Sequence, residues 1–354
     1  MTDAPRHRPS FARELRDAVT ARAALLVIGA LLLQLAFIAS YVGAFHSPKP
    51  KDIALGVVAP ARMSGSLATR LNALPGRPLD ARTVTDQADA VRRIRERELD
   101  AALVVDPRGT TDTLLVAGAA GASLAQATEA VVTRAEAAEQ RAVRVTDLAP
   151  AAAGDARGLT SFYLVVGWCV GGYLCAAILA ISAGARPANP RRAVIRLGTL
   201  ALYAIGAGLL GTVIAGPVLG ALPGGVLPLW GLGALVVFAV GATTLALQGL
   251  AGIVGIGLAI ALVVVLGNPS AGGAYPYPLL PPFWRAIGPA LPPGAGTWAA
   301  RSISYFRGNG VVGALLVLSA WALGGAVVTV GSAALHEGGG RGAVGVGAGG
   351  STAG

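Results

Sequence analysis

The densest run of titratable side chains lies between residues 86 and 100. Asp86, Asp89, Glu96, Glu98 and Asp100 interleave there with Arg92, Arg93, Arg95 and Arg97. Paired carboxylates could do general acid–base work. Opposite charges at i and i+4, however, are the pattern of a solvated helix face whose charges neutralise one another, and that is the expectation here. The other reactive side chains are scattered. Cys169 and Cys175 are six residues apart in one apolar run, which at about 100° per residue puts them on different faces of a helix. They read as small packing residues, not as a disulfide or metal pair. His7, His46 and His336 occupy three separate regions, so no metal-ligand spacing emerges. No Gly-x-x-x-x-Gly-Lys-Ser/Thr phosphate loop occurs, and no nucleophile elbow. The chain is therefore not expected to be an enzyme or to carry a cofactor, and it cannot hydrolyse ATP alone.

Two arginine-bearing stretches remain. Arg186, Arg191, Arg192 and Arg196 share the segment Gly184–Arg196 with Pro187 and Pro190. Further on, Leu279-Leu280-Pro281-Pro282-Phe283-Trp284-Arg285 precedes Leu291-Pro292-Pro293-Gly294, and then Arg301, Tyr305 and Phe306. Prolines separate two short helical pieces. The aromatics and arginines suit the level of lipid headgroups. The stretch is expected to form an outer gate loop, with Phe283, Trp284, Arg285 and Arg301 as its working residues. Non-helical backbone is tolerated at membrane depth only where protein covers it, so a re-entrant or interfacial hairpin is the form expected.

The elements that must position these residues are set by apolarity. The chain is 54% hydrophobic and 13% charged, about half the charge of a typical soluble domain. From Thr160 to Leu335 there is no Asp or Glu. Helices that are hydrophobic on every side belong in lipid. Six spans are expected: Ala23–Phe45, Ser161–Ala183, Leu197–Leu219, Leu229–Leu247, Gly249–Gly267 and Val311–Leu335, with the fourth and fifth turning tightly at Gln248. Gly167-x-x-x-Gly171 is a close-approach motif on the second, and Gly249, Gly252 and Gly255 offer a smooth groove. None of the six holds an Asp, Glu, Lys, Arg or His, which lowers the expectation of a proton- or cation-coupled transporter. The proline-rich outer loop covers 268–310.

His46–Arg157 differs in kind. Its strands (Ile53–Val58, Asp80–Val84, Ala101–Val105, Thr113–Val116, Val143–Leu148) alternate with helices (Ala61–Leu74, Asp86–Glu98, Ser123–Val143). That is an α/β pattern on one small sheet, with enough chain to bury its own core. It holds 15 basic and 14 acidic residues, so the formal net charge of +10 comes from the rest, which holds 13 and 4. Those excess cations sit at membrane edges, a topology signal and not a nucleic-acid face. Residues 1–22 form an arm with a short amphipathic helix from Ser10, suited to the headgroup plane. Residues 336–354 read as a disordered glycine-rich tail. Basic residues in the arm and in Gly184–Arg196 mark the cytoplasmic side. The termini are then cytoplasmic and the α/β domain extracytoplasmic. The fold class expected is an α-helical polytopic protein of the cell membrane, with six transmembrane helices and an α/β domain inserted between the first and second.

In this order of parts the chain resembles the permease subunits of type-2 ABC exporters and their phage-infection-protein-like relatives. The segment Ala88–Pro107, ending in Ala101-Ala102-Leu103-Val104-Val105-Asp106-Pro107, and the piece from Leu291-Pro292-Pro293 to Arg301 carry the likeness. The resemblance implies a homodimer or heterodimer in the lipid bilayer that exports a lipophilic or amphipathic substrate. It implies a separate ATPase docked on the loop bearing Arg186, Arg191, Arg192 and Arg196. That loop lacks the acidic, Gly-Thr-containing stretch typical of exporter permeases, which shifts weight toward the phage-infection-protein-like branch. The alternative reading is a non-transporting anchor whose α/β domain binds a cell-envelope partner.

Overall fold

The structure, a computed structural model, describes residues 20–346. The amphipathic helix expected from Ser10 lies outside the described residues. The first helix, α1 (Ala21–Phe45), is capped by the Thr20 hydroxyl, which accepts from the Ala23 amide. It touches the bundle along one narrow line, so Leu25, Val27 and Leu32 are more than half exposed.

The sheet domain follows. Its elements are β1 (Ile53–Val58), α2 (Ala61–Asn72), β2 (Leu79–Thr83), α3 (Gln87–Arg95), β3 (Ala101–Val104), β4 (Thr111–Val116), α4 (Ala122–Ala137) and β5 (Ala142–Asp147). The strand order is β2-β1-β3-β4-β5. Only the β3–β4 pair is antiparallel, joined by a short turn; the other pairs are parallel and bridged by helices. Side chains alternate across each strand. Ile53, Leu55 and Val57 face Leu71 of α2 and Val132 of α4 on one side. Ala54 and Val58 face Ala90 and Ile94 of α3 on the other. At one end of the sheet, fully buried Asp112 accepts two hydrogen bonds from Arg141, both 2.6 Å, and one from the Asp106 amide.

This domain does not complete its own core, contrary to expectation. Leu279 and partly buried Tyr275 pack into the face under α2 and α4. Phe306 and partly buried Tyr305 pack into the face under α3. The proline-rich segment thus clasps the sheet from both sides.

The bundle is built from α5 (Thr160–Ala183), α6 (Pro190–Val213), α7 (Val226–Ala251), α8 (Val254–Ile260), α9 (Pro282–Ile287), α10 (Pro292–Tyr305) and α11 (Val312–Val346). Helix α7 is the hub, packed by α5, α6, α10 and α11. Five helices among the described residues are long and apolar enough to cross a membrane: Ala23–Phe45, Thr160–Ala183, Pro190–Val218, Val226–Ala251 and Val312–Glu337. Together they mark a multi-pass membrane protein. The expected fifth span is a shorter apolar helix, Val254–Ser270, interrupted by a π-helical stretch at Ala261–Gly267.

Three boundaries move, each for a local reason. The turn between the fourth and fifth apolar segments is at Gly252, whose φ of +61° suits glycine. Gln248 lies inside α7, fully buried, and its amide donates to the Ala176 carbonyl at 3.3 Å. The segment expected as a loop to Arg196 ends at Asn189. That side chain caps α6 by accepting from the Arg192 amide, with Pro190 in the first turn. The glycine-rich tail begins as helix: α11 runs on to Val346, because extending a ladder costs far less than starting one. Residues 347–354 are outside the described set.

The close-approach glycines agree with expectation only in part. A Cβ on Gly167 would meet nothing within 4 Å, whereas one on Gly249 would press on Ser332 and one on Gly255 on the backbone at Leu247 and Gln248. Tight crossings not expected include Gly172, where a Cβ would lie 2.6 Å from the Val237 carbonyl oxygen, and Gly208, where it would lie 2.5 Å from the Ala234 amide.

Candidate functional site

A cluster of polar side chains lies where the sheet domain meets the bundle. Helix α10 makes this junction. Pro292 and Pro293 start it, since neither needs a hydrogen-bond acceptor for an amide in the first turn. It is short, about 21 Å at 1.5 Å per residue, and Gly294, Ala295, Gly296, Ala299 and Ala300 on it are buried. Small side chains let it sink among α5, α7 and α11. It is a short helix buried in the bundle, and its C-terminal end rises into the sheet domain.

Arg301 stands near that end, 3% exposed. Its guanidinium donates to the carbonyls of Gly272 (2.6 Å), Gly273 (2.7 Å) and Gly158 (3.2 Å). One side chain therefore joins α10, the connection into α5 and the loop after residue 270. A planar fork of donors suits three backbone acceptors in different directions. Next to it, Asp155 is buried. It accepts from the Thr160 amide at 2.8 Å and from the Tyr305 hydroxyl at 2.6 Å.

From the sheet side comes Arg97. It has φ of +63°, a left-handed turn unusual for a side chain of this size, and this turns it away from the α3 face. Its guanidinium lies 3.4 Å from the centroid of the Trp298 ring and 5.0 Å from that of Phe306. It donates to the Trp298 carbonyl (3.0 Å) and the Ser302 hydroxyl (2.7 Å). An arginine over an indole in a dry site is held by charge and ring quadrupole as well as by hydrogen bonds. Burial, with Arg301 nearby, pushes the Arg97 pKa down to about 9. Tyr277 stacks on the same indole at 6.3 Å. Arg97, Asp100, Tyr277, Trp298 and Arg301 line a cavity of about 40 Å³, room for a water molecule.

Asp100 closes the group. Its carboxylate accepts from the Ala54 amide at 3.0 Å. Desolvation raises its pKa above the ordinary carboxylate value, opposed by that hydrogen bond and by Arg97 and Arg285. Between the ordinary and the raised value the folded chain holds more protons than the unfolded one, so stability falls as pH rises through that window. Asp100→Asn keeps the acceptor and removes the charge. Its melting temperature is expected to equal wild type at acid pH and to exceed it increasingly as pH rises through that window. Parallel melting curves at several pH values check this.

The expected gate residues divide. Arg301 and Arg285 both tie the proline-rich segment down, but at separate points. Arg285 donates to the Lys51 carbonyl at 3.0 Å and reaches Asp52 at 3.4 Å. Phe283 is 56% exposed and stands edge-on to Trp284 at 5.0 Å; neither ring enters the seam. The expected docking arginines divide too. Arg196 is 6% exposed and caps α5 through the carbonyls of Ala183 and Gly184, both 2.8 Å. Arg186 donates to the Leu250 carbonyl at the end of α7. Favourable charge at a helix C-terminus explains both. Arg191 and Arg192 are left exposed in the first turn of α6.

Reading 86–100 as a solvated face found the pairs Asp89–Arg92, Asp89–Arg93 and Arg92–Glu96 but missed Arg97 and Asp100. The signal was phase: α3 ends at Arg95, so residues 97 and 100 no longer share its outer face. No protein-family model, no curated protein and no solved structure matches this chain, so its residues alone carry the functional reading.

Proposed function

We propose that the protein is the permease subunit of an exporter that moves a lipophilic or amphipathic substrate and is driven by a separate ATPase. The observation that supports this is the seam: α10 is buried among the bundle helices, and its outer end is locked to the sheet domain through Arg97, Arg301 and Tyr305. A passive anchor requires one apolar helix. A bundle whose buried half-helix is rigidly joined to a folded outer module can transmit a movement from one to the other, because packed elements shift as discrete units. In this reading Val254–Ser270, 17 residues and about 25 Å long, makes a sixth crossing against α1. The sheet domain is then outside the cell and both termini inside. Two copies, or this chain and a related one, complete the translocation path.

Arg191 and Arg192 form the free cytoplasmic surface onto which the ATPase docks. The test is purification of the full chain from its native membrane. An ATPase is expected to co-purify, and Arg191→Glu/Arg192→Glu is expected to reduce its recovery and the substrate-stimulated ATP hydrolysis at least tenfold, since reversing two interface charges costs several kcal/mol. Export that persists unchanged after ATP depletion defeats the proposal and favours the envelope-partner anchor.

A further inference from the structure

Apart from the seam, a groove of about 1210 Å³ lies on the flank of the sheet domain. It is roomier than the roughly 300–1,000 Å³ of ordinary small-molecule pockets. One wall is α2 and the turn after it, with Leu71 and Leu74; the facing wall is α4, with Ala127, Ala130 and Val131. Pro281 and Pro282 close one side, and residues 46–51 close another. The walls are aliphatic and the rim is basic. Lys49, Lys51 and Arg134 line the rim, all three are exposed, and none forms an ion pair among the described residues. The acidic side chain on the lining, Glu139, is neutralised by Arg70 at 2.5 Å. The groove therefore presents a net positive edge over an aliphatic channel.

Its position gives the occupant. Helix α1 ends at Phe45, and His46, the next residue, is already part of the groove. The apolar face of α1 is exposed up to Val42. The groove therefore opens at the level where an apolar helix leaves the hydrocarbon and headgroups begin. We propose that it holds an anionic membrane lipid, with the phosphate on Lys49, Lys51 and Arg134 and an acyl chain between α2 and α4. A free anion leaves the aliphatic walls wet, and a neutral lipid leaves the three cations without a counter-charge. The inference is independent of export: it holds whether or not the bundle transports anything.

The test uses the purified full chain in dodecyl maltoside with dioleoyl phosphatidylglycerol and dioleoyl phosphatidylcholine as probes, read by native mass spectrometry. One phosphatidylglycerol is expected to be retained at least tenfold better than phosphatidylcholine. Lys49→Ala/Lys51→Ala is expected to weaken that retention about tenfold to thirtyfold, as each surface cation contributes a fewfold to anionic-lipid binding. Ala130→Trp leaves every cation in place and fills the channel, and is expected to weaken retention at least tenfold. All three positions are exposed, so the melting temperature should not move. A phosphatidylglycerol with a diazirine on one chain should crosslink within residues 70–78 and 127–138. Equal retention of the two lipids overturns the proposal. So does full retention by Ala130→Trp, crosslinking confined to the bundle helices, or displacement by millimolar glycerol phosphate, which would mark a site for a soluble anion.

Discussion

Arg301→Met is expected to destabilise the protein by about 3–5 kcal/mol, the range found when one partner of a buried charged network is removed. Methionine fills much of the same volume but donates nothing. The carbonyls of Gly158, Gly272 and Gly273 then lose their arginine donor, and each buried carbonyl left without a partner costs about 1–3 kcal/mol. Net stabilities are of order 5–15 kcal/mol, so most of the margin goes. The detergent-solubilised variant should show a large fall in melting temperature and in the monodisperse fraction on gel filtration. Arg301→Lys is expected to recover little, because one ammonium cannot replace a planar fork on three acceptors. Wild-type melting in Arg301→Met would show that the seam is not held through this residue.

Gly208→Leu is the second large effect. The backbone of α6 crosses α7 there so closely that even a Cβ would lie 2.5 Å from the Ala234 amide and 3.0 Å from the Trp230 carbonyl oxygen. Neither is a side chain that can swing aside, so the two helices must separate. Without a hydrophobic force between helices in lipid, their association rests on packing, and separation forfeits it. The cost is expected to be about 3 kcal/mol or more, above the usual range for overpacking. Gly206→Leu is the matched control. It is on the same helix two residues away, and a Cβ there meets nothing within 4 Å. Its effect is expected to stay within about 0.5 kcal/mol. If the two variants melt alike, the close crossing is wrong.

Much of the molecule was legible from local pattern. The apolar runs that became α1, α5, α6, α7 and α11 needed only the absence of charge over more than 18 residues. The sheet domain was legible because period-2 and period-3.6 apolar patterns alternate along it; each expected strand and helix is found within three residues of its place, except that the helix expected over Ser123–Val143 ends at Ala137. The proline pairs at 281–282 and 292–293 marked the broken helix correctly, since proline restricts its own backbone and that of its predecessor.

The site was less legible. Arg97 sits among charges whose neighbours are solvent-facing, and nothing local distinguishes it. Its partners, Trp298 and Ser302, are more than 200 residues away. Arg186 and Arg196 read as free cations in a short loop, yet both are bound to helix ends whose positions depend on how α5, α6 and α7 pack. The turn at Gly252 could not be told from one at Gln248, because a lone buried glutamine and a loop glutamine look the same until the Ala176 carbonyl is brought to it.

The sequence by itself determined which stretches are apolar enough to enter lipid, that a sheet domain interrupts them, and that the proline-rich stretch breaks its helix. These properties follow from composition and from periodicity along a few consecutive residues. Only the tertiary structure decided that this stretch finishes both faces of the sheet, that half-buried Arg97 and buried Arg301 meet at one seam, and which glycines mark the crossings. Those outcomes depend on contacts between residues far apart in the chain, and the energy of such a contact exists only once packing has expelled the solvent between its partners.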